Sequence, residues 1–222
     1  MGPSITPSAT AGELVRIGPH GLDGELRVPA KPAGLVLFAH GSGSSRGSPR
    51  NRWVAGVLQR QRLATLLFDL LDADEAADRR AVFDIGLLAR RVAQALDWTR
   101  QREVLAGLRI GIFGASTGAA AALVAAAARP AMVGALVSRG GRPDLASEVL
   151  EQVQAPTLLI VGGADTEVLE LNRLAYRHLG CTKRLEVVPR ATHLFEEPGA
   201  LASVAELAAS WFETHLAQRS LR

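Results

Sequence analysis

A chain of 222 residues with 48% hydrophobic and 21% charged side chains is suited to one large core, not two small ones. Its formal charge is only +3, and lysine stands only at Lys31 and Lys183, so an isoelectric point near 9.7 reflects arginine usage, not a nucleic-acid footprint. No aromatic-basic interleaving points to nucleic acid, no apolar run reaches the roughly 18 residues that span a bilayer, and the single Cys181 excludes an internal disulfide and suits the cytoplasm.

Residues 1–12 read as a flexible Pro/Ser/Thr-rich tail without the apolar run of a signal peptide, and 13–219 as a single domain. Strand patterns at 13–17 and 24–28, around Gly21 and Asp23-Gly24, predict an antiparallel entry to a sheet. Short apolar runs follow at 35–39, 65–70, 110–114, 135–138, 157–161 and 185–188. They alternate with helical patterns at 52–62, 82–102, 117–128, 144–153, 167–179 and 201–218. Near-continuous apolar strands suit a parallel sheet covered on both faces. The order predicts an α/β fold: a doubly wound, mostly parallel sheet of eight strands. Residues 71–80, dense in Asp, Glu and Arg, read as a solvated loop. Residues 141–155 leave no room for an inserted lid.

The run Arg109-Ile-Gly-Ile-Phe-Gly-Ala-Ser-Thr-Gly118 carries the chemistry. An apolar strand ends in Gly114-x-Ser116-x-Gly118, and an Ala-rich helix opens at once. Glycine is needed two residues either side of such a turn, because a side chain there would strike the neighbouring strand or the incoming helix. The serine is left exposed at the positive end of the helix dipole. The pattern alone is weak, since Gly43-x-Ser45-x-Gly47 matches it too. That second match lies in a Gly/Ser/Arg-rich loop with no helix opening at its second glycine. Context selects Ser116 as the nucleophile.

Sites in such sheets form beyond the carboxyl ends of the strands. There Asp165 follows the run at 157–161, and His193 follows the run at 185–188. The chain order Ser116, Asp165, His193 is that of a hydrolase triad. His193 is the base that activates the hydroxyl, and Asp165 orients the imidazole. Glu167, Glu170 and Asp144 stay open as the acid should Asp165 only cap a helix. Thr117 and Ser42 are the candidate oxyanion donors, through their backbone N–H groups. His40 reads as loop-organising, and Cys181 as structural. Arg46 and Arg139, on the site face, are candidate binders of an anionic substrate group, with Arg50 and Arg52 beside Arg46. No metal-ligating cluster and no cofactor motif is evident.

These residues carry a resemblance over about residues 13–219. His40-Gly41-Ser42-Gly43-Ser44-Ser45, Gly114-Ala115-Ser116-Thr117-Gly118, Ser138-Arg139-Gly140-Gly141-Arg142-Pro143-Asp144-Leu145-Ala146 and Ala191-Thr192-His193-Leu194-Phe195-Glu196-Glu197 make the chain resemble lidless α/β-hydrolases of the dienelactone hydrolase-like group. Its bacterial members are sometimes fused to phosphoribosyltransferase domains. Dienelactone hydrolases proper use a cysteine where this chain has Ser116. The resemblance therefore implies a general serine hydrolase of small esters, lactones or thioesters; monomer and homodimer both stay open. An acyltransferase, a peptidase or a non-catalytic binding protein on the same fold are the alternatives.

Overall fold

The computed structural model describes residues 12–217. The tail expected over 1–12 therefore lies outside the described residues except for Gly12, as do the last two residues expected of the domain. The strands are β1 (Glu13–Ile17), β2 (Leu22–Arg27), β3 (Gly34–Ala39), β4 (Leu63–Phe68), β5 (Ile110–Ala115), β6 (Val133–Arg139), β7 (Thr157–Gly162) and β8 (Lys183–Val188). They form one sheet in the order β1-β2-β4-β3-β5-β6-β7-β8. β1 pairs with β2 and β2 with β4 antiparallel, and every later pair is parallel. This is the doubly wound, mostly parallel sheet that the pattern predicts.

Alternation along the strands builds two cores. Leu35, Leu37, Ile112, Leu136 and Leu159 join α4 (Ile85–Thr99) and α5 (Thr117–Ala128) on one face. Val36, Phe38, Phe113, Val137 and Ile160 join α1 (Pro49–Arg60) and α7 (Ala200–Leu216) on the other. The helix α5 is buried nearly all round, as its run of alanines allows. A further helix, α6 (Thr166–His178), follows β7.

Two short helices correct the reading of 71–80 as loop. They are α2 (Ala73–Ala77) and α3 (Arg79–Val82). Asp72 accepts from the Glu75 N–H at 2.8 Å while Glu75 accepts from the Asp72 N–H at 3.1 Å, a reciprocal cap, and Asp78 caps α3. Neither helix buries a residue, so no apolar period announced them. The helix expected over 82–102 starts at Ile85, because Asp84 caps it through the Leu87 N–H at 2.8 Å. The one expected over 144–153 is 3-10 helix, Pro143–Gln152, interrupted at Ala146. Among the described residues no helix is long and apolar enough to cross a membrane.

Candidate active site

The turn from β5 into α5 is tight enough that both glycines are forced. A Cβ on Gly114 would lie 2.5 Å from Ala119 Cα, and one on Gly118 would lie 2.3 Å from the carbonyl oxygens of Ala39 and His40. Gly118→Ala is therefore expected to cost about 3 kcal/mol or more, since backbone cannot give way as a flexible side chain would. A urea-unfolding midpoint close to wild type would contradict that. Ser116 takes φ 50° and ψ −122°, a costly conformation for a residue with a side chain and one that clusters at active sites. Its N–H donates to the Arg139 carbonyl at 3.3 Å, and its own carbonyl accepts from Ala119 and Arg142. The Ser116 side chain makes no capping bond to α5.

The tip of β6 connects serine and histidine. The residue after Arg139 is Gly140 (φ 50°), and a Cβ on it would sit 3.6 Å from His193 Cε1. Beyond β7, Asp165 Oδ2 lies 2.7 Å from His193 Nδ1. Although Asp165 is the N-cap residue of α6, its side chain makes no capping bond. Two of the three alternative acids are otherwise engaged: Asp144 holds Arg142 at 2.9 and 2.7 Å, and Glu170 holds Arg173. Two residues that pattern reading missed fix the histidine loop. Glu197 accepts from the Thr192 N–H (3.0 Å) and hydroxyl (2.6 Å), which holds its carboxyl below the usual range. Glu196 pairs with Arg50 at 2.9 Å. Arg190 and Phe195, flanking His193, both have positive φ.

The loop after β3 meets the elbow directly, for a Cβ on Gly41 would lie 3.0 Å from Ser116 Cβ. Here the expected oxyanion pair shows an unforeseen feature. The Ser42 N–H donates to the Thr117 hydroxyl at 2.9 Å, so this amide is engaged by the side chain of its predicted partner. His40 organises the loop as expected. Its Nε2 accepts from the Leu70 N–H at 3.0 Å, which places the proton on Nδ1, 3.0 Å from the Gly41 carbonyl. Burial lowers its pKa below the ordinary 6.5, against the opposing pull of the Gly41 bond and Asp69. Stability that depends on neutral His40 is then present in full above about 6.5 and is lost as pH falls from there through the lower folded value. His215, also lowered by burial, acts in the same direction, so variants must be compared. His40→Asn should lose about 1–3 kcal/mol at pH 8, and its gap to wild type should narrow towards pH 5 in urea titrations. A constant gap would contradict this.

The two candidate arginines part company. Arg46 is claimed by Asp23 (3.3 Å) and Asp69 (3.5 Å), while its N–H donates to Asp69 at 2.7 Å. Those contacts brace the loop on which it stands. Arg52 likewise pairs with Glu25. Arg139 is 8% exposed, and its Nε and Nη1 are buried without a hydrogen-bond partner among the described residues. Its guanidinium lies 6.0 Å from the Phe195 ring centroid, and burial, with Arg50 nearby, brings its pKa down to about 10. Among the described residues no group of three or more His, Cys, Asp or Glu side chains is placed to hold a metal ion.

The model of the dienelactone hydrolase family matches residues 55–216, most of the chain. The chain belongs to the dienelactone hydrolase family. A dienelactone hydrolase of Anabaena variabilis has a solved structure that is 56% identical, with a TM-score of 0.89 over 92% of this chain and 97% of that one. Est1E of Butyrivibrio proteoclasticus shares the fold at 15% identity, with a TM-score of 0.77 over 93% and 99% of the two chains. This family member is also 58% identical, over 90% of its length, to a Mycobacterium tuberculosis protein provisionally named a phosphoribosyl transferase. It spans only 45% of that relative. The fold is that of α/β-hydrolases, with no lid inserted among the described residues.

Proposed function

We propose that this family member is a serine hydrolase that cleaves small carboxylic esters, lactones or thioesters through an acyl-enzyme. The observation that carries the reading is the 2.7 Å Asp165–His193 contact across the β6 tip from a strained serine at a strand-to-helix turn. Ser116 Oγ attacks the carbonyl carbon as His193 takes its proton, and Asp165 stabilises the imidazolium. The N–H groups of Thr117 and Ser42 hold the oxyanion, the latter on leaving the Thr117 hydroxyl. His193 then protonates the leaving oxygen, and water repeats the sequence to free the acid. The transferase named for the longer relatives is assigned by this reading to the part of them that this chain does not cover. A cytoplasmic setting fits the lone Cys181.

The test is a stopped-flow burst with p-nitrophenyl acetate. One equivalent of p-nitrophenol per enzyme before steady turnover supports the acyl-enzyme. Absence of both burst and turnover would favour a binding protein, and acyl transfer to added alcohol in preference to water would favour a transferase.

Arg139 is the proposed anchor for an anionic group on the substrate. A buried cation without a carboxylate partner costs stability and suits a ligand that brings the missing charge. Arg139→Met should therefore raise the melting temperature by about 5 °C. It should also lower kcat/KM about 10–100-fold for anionic esters relative to neutral ones. Equal losses on both kinds of ester would reduce Arg139 to a brace.

A further inference from the structure

A cavity of about 700 Å³ adjoins the loop that follows β3, on the opposite side of the elbow from His193. That volume is within the range of pockets that enclose drug-sized ligands. Leu22, Leu70, Leu71, Val82 and Leu88 give it an apolar wall. The short helices α2 and α3 border it and contribute Ala73, Ala76 and Val82 to its lining. That border is tied down. Arg91 of α4, only 3% exposed, reaches across to Glu75 of α2 at 2.5 Å. Asp23, Asp69 and Asp72 line the polar edge with His20 and Arg16, and Arg16 pairs with Asp23 at 2.8 Å, so the edge is acidic on balance and disfavours an anion.

Resting on the hydrolase reading, we propose that this cavity is the acyl subsite and takes a neutral, apolar acyl arm of aryl or medium-chain size. The direction follows from the tetrahedral intermediate. Its four substituents are Ser116 Oγ, the oxyanion, the leaving oxygen and the acyl carbon. The leaving oxygen must face His193 to be protonated, so the acyl carbon points away from it. Gly41 and Ser42, which flank the oxyanion, also line the cavity. A carbonyl held by that loop presents its acyl arm to the apolar wall, while the leaving group lies toward β6 and Arg139.

Ala76 is exposed, so Ala76→Trp adds bulk to the cavity without disturbing the core, and Ala73→Trp repeats the measurement from the first turn of α2. Ala77, on the same helix, does not line the cavity and serves as control. The ratio of kcat/KM for p-nitrophenyl octanoate to that for the acetate should fall about tenfold or more in Ala76→Trp. It should keep its wild-type value in Ala77→Trp. An unchanged ratio in Ala76→Trp and Ala73→Trp overturns the proposal. Calorimetry with octanamide separates the two readings. If the wild type cleaves neither ester, the hydrolase reading fails; octanamide binding to wild type and not to Ala76→Trp still supports the apolar site, and binding to neither or to both alike overturns it.

Discussion

Ser116→Ala is expected to lower ester turnover by about 10⁴-fold or more, while the melting temperature stays within about 2 °C of wild type. The rate falls because the acyl-enzyme has no atom on which to form. Stability is preserved because what holds the turn is backbone: the Ser116 N–H to Arg139, and the Ala119 and Arg142 N–H groups to the Ser116 carbonyl. Alanine keeps all three bonds and accepts the φ of 50° at a cost similar to serine. Residual turnover above background would come from the oxyanion donors alone. Retention of more than a tenth of wild-type activity in folded protein would remove Ser116 from the nucleophile's role.

The second large effect is expected at Asp165. Asp165→Asn should cut kcat about 10⁴-fold, with KM changed far less. The contact at 2.7 Å requires His193 Nδ1 to carry the proton, so that Nε2 is left with a lone pair for the serine hydroxyl. An asparagine amide can donate to Nδ1 instead, which moves the proton to Nε2 and makes the imidazole useless as a base. Geometry survives and chemistry does not. Pre-steady-state kinetics should show the loss in the acylation phase. If Asp165→Asn keeps near wild-type kcat while Glu167→Gln does not, the acid has been misassigned.

Much of this was legible in the residues because the signals were local and apolar. Six parallel strands are short apolar runs, and the triad candidates are the polar residues just past three of them. The elbow was legible because its glycines answer to backbone collisions that any such turn must avoid. Features stabilised by polar contacts were less visible. α2 and α3 are held by Asp72, Glu75 and Asp78 caps with no buried face, so a charged run looked like loop. The signal that could have found α2 is the Asp72-x-x-Glu75 spacing itself. Arg46 and Arg139 look alike as arginines on the site face. Only the fold shows that Asp23 and Asp69 claim one, whereas the other is buried beside Phe195. The Ser42–Thr117 bond joins residues 75 apart in the chain and has no local trace.

The most direct test of the central claim is covalent labelling with a fluorophosphonate probe, with the adduct mapped by mass spectrometry. The account predicts one adduct, on Ser116, formed at near-stoichiometric yield and slowed strongly in Asp165→Asn. Folded wild-type protein that takes no label at Ser116, or takes it on Ser45, would contradict it.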